Sequence, residues 1–291
     1  MTTSLGERPS VAVVIPTRCQ IAEVAGRPRR LVDDCLEGLM AESETVDLEV
    51  ITVLDADVPG DTLDKWRQRL GSRLLTLSSP LPFNFSKKVN MGAAATQADF
   101  VLFLNDDIKP IQPGWLAAMT EIARVPDVGA VGARLLYEDH TIQHVGHAYA
   151  YGAAFHFDAG QRVDPNKHWH HGLRQVSGVT AACLMQRREI WQRSGGFDES
   201  LSNNFNDVEY CWRLRRQGYK VMQLNDAELF HYETKTRSTG AAMWEIERIE
   251  GALGDQLTGP DDFTPEAMLP RESRFPVSRQ LSRALRRVFT S

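Results

Sequence analysis

Apolar and polar positions alternate in blocks through the first 124 residues. Residues 11–15 (Val-Ala-Val-Val-Ile) form a short β-branched run that stops at Pro16-Thr17, which predicts a buried strand. Residues 48–54 repeat that signal and end at Asp55-Ala56-Asp57. Residues 74–77 read as a third strand, and 99–104 as a fourth ending in Asn105-Asp106-Asp107. Helical spacing fits about 30–39, 62–70, 86–96 and 115–124. Strands alternating with helices predict an α/β fold with a mostly parallel central sheet covered on both faces. Ligands of such sheets lie off the carboxyl ends of the strands. Thr17, Asp55, Asp106 and Asp107 are therefore expected along one edge.

The pattern changes after residue 127. Residues 128–136 and 179–185 read as strands, and 220–224 as the last one. A loop rich in His, Gly, Tyr and Asp separates the first two, from about 138 to 174. Residues 206–218 fit a helix closed by Gly218. A further helix fits 243–253, and the Gly/Pro/Asp stretch 259–270 reads as a linker.

A chain of 291 residues suits one large domain, or one with an extension. Its 42% hydrophobic and 24% charged residues are ordinary globular usage, so a sizeable core is expected. A net charge of -5 argues against nucleic acid as a partner. No run approaches the ~18 apolar residues of a membrane span. Residues 1–9 lack the apolar run of a signal peptide, so the cytoplasm is the expected compartment. Cys19, Cys35, Cys183 and Cys211 are widely spaced and read as reduced, buried thiols.

Three constellations carry candidate chemistry. Asp106-Asp107 follows a wholly apolar strand, where hard cations such as Mg²⁺ or Mn²⁺ could bind through carboxylates and substrate phosphates. A solvated loop or a helix cap explains the same acids. Gly195-Gly-Phe-Asp198 precedes Asn206-Asp207-Val208-Glu209, which sets acids at a helix start that stabilises them. Capping alone would explain these as well. His231-Tyr-Glu233 follows the last strand, with Lys235 and Arg237 beyond it. Imidazole ligates transition metals, and the two cations could grip phosphate oxygens; a lone histidine is more often structural.

Together these segments resemble the family 2 glycosyltransferases of GT-A fold. The resemblance runs from Val11 to about Arg237. It is carried by residues 13–17 (Val-Val-Ile-Pro-Thr), Phe83-Asn-Phe-Ser86, Asn90-Met-Gly92, 102–107 (Leu-Phe-Leu-Asn-Asp-Asp), Gly114-Trp-Leu116, 128–137, Ile142-Gln-His-Val-Gly146, Gly195-Gly-Phe-Asp198, Asn206-Asp207 and His231-Tyr-Glu233. Within the family it is similar to rhamnosyl- and galactofuranosyl-transferases of O-antigen and cell-wall polysaccharide assembly.

The resemblance implies a catalytic domain over 1–237, with a nucleotide half at about 10–127 and an acceptor half at about 128–237. Residues 238–291 would be a helical extension. It implies nucleotide contacts from Pro16, Thr17, Arg18, Asp55, Asn90 and Asp106. Asp107 and His231 would hold Mn²⁺ or Mg²⁺, and Asp207 would be the general base. Trp115, Thr180, Ala181, Asn206 and Glu209 would shape the sugar and acceptor pocket, and Lys235 and Arg237 would meet phosphate. The donor would be a UDP- or dTDP-sugar, and the acceptor a glycan, a lipid-linked intermediate or a protein. Asn206 stands where an acid is usual, leaving Asp207 as base unless Glu209 contributes. Rival readings are a nucleotidyltransferase, which would normally bring a glycine-rich phosphate loop near the N-terminus, and a non-catalytic carbohydrate- or nucleotide-binding module.

Seven of the eight histidines fall between 140 and 171. Their spacings suggest no compact metal site, so the segment reads as a mobile acceptor-side loop with zinc as the lesser alternative. The basic segment 271–291 carries Leu281, Ala284, Leu285 and Val288 at helical spacing. Such a helix packs on the catalytic domain or a second subunit, or rests on an anionic membrane surface.

Overall fold

The structure is a computed structural model that describes residues 8–24, 26–150, 153–232, 243–254 and 261–263. In chain order the strands are β1 (Ser10–Thr17), β2 (Ile21–Val24), β3 (Arg27–Arg30), β4 (Asp47–Asp55), β5 (Leu74–Ser79), β6 (Phe100–Leu104), β7 (Ile108–Pro110), β8 (Val128–Leu136), β9 (Ile142–His144), β10 (His147–Ala150), β11 (Ala153–His156), β12 (Leu173–Gln175), β13 (Cys183–Arg187) and β14 (Lys220–His231). The helices are α1 (Leu31–Met40), α2 (Asp64–Leu70), α3 (Phe85–Ala94), α4 (Trp115–Ala123), α5 (Arg188–Ser194), α6 (Asn206–Arg216) and α7 (Met243–Leu253).

The main sheet runs β12-β14-β8-β13-β6-β1-β4-β5. β5, β4, β1 and β6 are parallel neighbours. β13 runs against both β6 and β8, so β8 and its parallel partner β14 share the direction of β6. The expected mostly parallel sheet is therefore present. Successive residues of β1 feed opposite faces: Val11, Val13 and Ile15 join one core, Ala12 and Val14 the other. Leu36, Trp66 and Met119 bring α1, α2 and α4 to the first face; Val89, Ile190 and Leu214 bring α3, α5 and α6 to the second. At Gly92 a Cβ would sit 2.3 Å from Val14, so only glycine lets α3 lie this close to β1.

The differences from expectation lie mainly in the second half. The 138–174 loop contains β9, β10, β11 and β12, strands of three or four residues that give no usable alternation. The last strand continues past 224 to His231, through a register shift between Leu224 and Glu228 where polar Asn225-Asp226 breaks the apolar run. Residues 180–182 form a turn before β13. α7 packs on α6 through Ile249 and Leu253 against Val208, Leu201 and Tyr149. The 271–291 segment lies outside the described residues. No described helix is long and apolar enough to cross a membrane.

Candidate active site

The carboxyl ends of β1, β4 and β6 do assemble polar groups. Thr17 Oγ1 donates to Asp106 Oδ2 at 2.5 Å. Asp55, 1% exposed, pairs with Lys88 Nζ at 2.5 Å and with Arg18 Nε at 2.9 Å. Lys88 is fully buried, and its Nζ also donates to the carbonyl of Thr17 at 3.2 Å. Burial pushes its pKa below the ordinary lysine value, and Asp55 opposes that shift. Lys88 is an unexpected member of this cluster. One signal points to it, because it falls three residues after Phe85 and four before Gly92, on the packed face of α3. Arg18 and Asp57 also line an open groove of about 320 Å³. Pro16 is buried beside Val53 at the end of β1.

Three strands across from β6, His231 ends β14, and the pairing of β7 with β14 brings Asp107 beside it. Its Nε2 lies 3.0 Å from Asp107 Oδ1 and 3.3 Å from Asn105 Nδ2. Its Nδ1 is 2.5 Å from Gln143 Oε1, an acceptor, so Nδ1–H donates there and, in the neutral ring, Nε2 keeps its lone pair. In that neutral form a lone pair and a carboxylate oxygen face each other at 3.0 Å, an arrangement that suits a cation. A ligating histidine commonly donates its other nitrogen's proton to an oxygen, as His231 does to Gln143. The oxygen-plus-imidazole donor set fits Mn²⁺ well, and Mg²⁺ through its carboxylate.

His231 also lines a cavity of about 370 Å³, together with Asn105, Thr180, Ala181, Asn206 and Asp207. Asp207 stands in the first turn of α6. Its Oδ2 accepts from the amide of Ala181 at 3.2 Å and its Oδ1 from that of Val208 at 2.9 Å. Phe205, just before the helix, has φ +58°, a left-handed conformation that costs a non-glycine residue energy. That strain sits at the turn that delivers Asp207 to the cavity.

Residues 9–248 match the family described as glycosyltransferase like family 2. The chain belongs to that family. A Sinorhizobium fredii protein of uncharacterised role is 35% identical over 79% of this chain. An O-antigen biosynthesis protein, RfbC, of Myxococcus xanthus is 30% identical over 80% of it. The chain spans only 25% and 18% of the lengths of those two relatives. The solved structure of GalNAc-T7 with UDP, GalNAc and Mn²⁺ aligns with TM-score 0.65 at 9% identity, covering 84% of this chain and 48% of that one. The fold is the GT-A fold of glycosyltransferases.

Three residues expected at the site are engaged in other contacts. Trp115 is 4% exposed and packs in the core with Leu116 and Met119, because Gly114 turns the chain so that the first residue of α4 faces inward. Asn90 is tied to the 191–199 segment: its Nδ2 donates to the carbonyl of Phe197 and its Oδ1 accepts from the Phe197 amide, both at 2.8 Å. Glu209 is held by Arg213 at 2.8 Å, and Arg213 also donates to the carbonyls of Ser194 and Gly196. Lys235 and Arg237 lie outside the described residues. Asn105 and Gln143, not expected at the site, are the partners that orient His231.

Proposed function

We propose that this family 2 glycosyltransferase moves a sugar from a UDP- or dTDP-linked donor to an acceptor hydroxyl with inversion, Asp207 acting as general base. The observation that carries the reading is the shared cavity. Asp207 and His231 line it together, and Asp207 is the single carboxylate among its described lining residues. Retaining transfer by the two-carboxylate route would need a second acid as nucleophile. With one acid, the economical chemistry is direct displacement. Asp207 takes the acceptor's hydroxyl proton, the oxygen attacks the anomeric carbon, and the bond to the diphosphate breaks on the opposite face.

In this reading Pro16, Thr17, Arg18, Asp55 and Asp106 hold base and ribose, with Lys88 fixing Asp55. Thr180, Ala181 and Asn206 border the sugar and acceptor. Mn²⁺ or Mg²⁺ on Asp107 and His231, when bound, supplies positive charge for the departing diphosphate. The O-antigen role of the Myxococcus relative supports a glycan or lipid-linked acceptor.

Asp207→Asn tests the assignment. General-base catalysis contributes roughly 10²–10⁴-fold, so transfer or nucleotide release should fall by about that factor. Calorimetric affinity for a UDP- or dTDP-sugar with Mn²⁺ should stay near wild type. Near-normal turnover would remove Asp207 as base. Asn206, 5% exposed in place of the usual acid, favours a second reading as a binding module. Wild-type protein that binds donors but releases no nucleotide would select it.

A further inference from the structure

Three histidines of the 138–174 segment meet in one cluster, contrary to the expectation that they form no compact site, and one of them lines the cavity. His144 ends β9, His147 opens β10, and the antiparallel register of β10 and β11 sets His147 opposite His156. One ligand nitrogen from each ring lies within 4.8 Å of the others. The three ring centroids are 4.9 Å apart pairwise. His144 and His147 are 0% and 2% exposed, whereas His156 is exposed and lines the transfer cavity. His147 Nδ1 is buried with no hydrogen-bond partner. A buried polar atom in that position loses solvation without return.

We propose that His144, His147 and His156 form a second metal site, for a borderline transition cation such as Zn²⁺, separate from the Asp107–His231 pair. Zn–N bonds of roughly 2.0–2.1 Å place ligand nitrogens roughly 3.4 Å apart in a tetrahedron. His144 Nδ1 and His156 Nδ1 already stand 3.0 Å apart, and side-chain rotation closes the remaining spread. Three nitrogens and no oxygen select against Mg²⁺, which prefers oxygen ligands. Burial keeps His144 and His147 below the usual imidazole pKa, so both are in the neutral, ligating form.

Occupancy reaches the turn beside Asp207. The amide of Thr180 donates to His144 Nε2 at 3.1 Å, and the next amide, Ala181, donates to Asp207. A metal on His144 Nδ1 moves the ring proton to Nε2 and ends the Thr180 bond. One hydrogen bond is small beside the free energy of a three-imidazole zinc site. This coupling rests on Asp207 being the base; the metal site itself does not.

The test uses the full chain, stripped with chelator, loaded with Zn²⁺ in the presence of excess Mg²⁺ and then dialysed. Elemental analysis should find one retained zinc per chain. Losing an outer-shell partner weakens metal affinity roughly 10–100-fold, and losing a ligand weakens it no less. His156→Ala, at an exposed position that spares the core, should therefore lose the retained zinc, as should His147→Ala. Asp107→Asn should keep it. Absent retention in the wild type, zinc that survives His156→Ala, or zinc lost with Asp107→Asn instead would each overturn the proposal.

Discussion

At the end of β4, Asp55 lies between two cations, one of them a fully buried lysine. At the start of α6, Asp207 meets two backbone amides and faces a cavity. Both are carboxylates near the same sheet edge, and their surroundings suit them to opposite tasks. Ion pairs with Lys88 and Arg18 fix Asp55 in place, which suits a hydrogen-bond acceptor for a ligand that must sit the same way each time. Asp207 has neutral partners and an open side, which suits an acid that must exchange a proton. Under the proposed function, the nucleotide edge is built from locked charge, and the cavity keeps one carboxylate among amides, hydroxyls and imidazoles.

Breaking the locked pair should have the largest stability effect. Lys88→Met leaves Asp55 buried with only half-exposed Arg18 as counterion. Removing one partner of a buried pair costs on the order of 3 kcal/mol. A urea midpoint that falls accordingly, and recovers when Asp55→Leu is added, would show that the pair itself carries the cost. The double variant should still fail to bind nucleotide. If Lys88→Met unfolds no more easily than wild type, the contrast between the two edges loses its energetic basis.

How much of this is legible in the residues follows the same division. β1, β4 and β6 are apolar runs in the sheet interior, with β5 a shorter run at its edge, so their order and the polar stops at Thr17, Asp55 and Asp107 stand out. The joining of Asp107, His231 and Asp207 comes from ordered motif resemblance, since no local pattern sets residues 107, 207 and 231 side by side. The histidine cluster is invisible along the chain because it depends on the pairing of β10 with β11, two four-residue strands. Trp115 and Asn90 mislead because an aromatic and an amide beside a motif suit a pocket or a structural bond equally well. Lys88 is easily passed over because lysines are so seldom fully buried.

Asn90 joins the two regions, and its loss should have an intermediate effect. Its amide pairs with both backbone groups of Phe197, and Phe197 stacks on Tyr210 of α6 at 4.2 Å. Asn90→Ala leaves those backbone groups unpaired, at a cost of about 2 kcal/mol in thermal or urea unfolding. Because the slackened contact lies under α6, turnover should fall while donor affinity holds. A variant that instead loses donor affinity at full turnover would return Asn90 to the nucleotide site.

The smallest effect is expected at Glu42, where a carboxylate serves neither region. It accepts from the amides of Gly114 at 2.8 Å and Leu116 at 3.3 Å, capping α4 where Gly114 has no side chain to do so. Burial raises its pKa above the ordinary 4.5, and the two amides pull it back only in part. The native state therefore holds this proton to higher pH than the unfolded chain does. The corresponding stability is fully present below pH 4.5 and is lost as pH rises through the raised value. Glu42→Gln should flatten that part of the stability–pH curve, and Glu42→Ala should cost about 1 kcal/mol at neutral pH, as a lost cap does. Neither should change turnover at permissive temperature. A loss of activity at unchanged stability would mean that α4 helps shape the transfer cavity, and would return Trp115, at the first position of that helix, to the sugar and acceptor pocket.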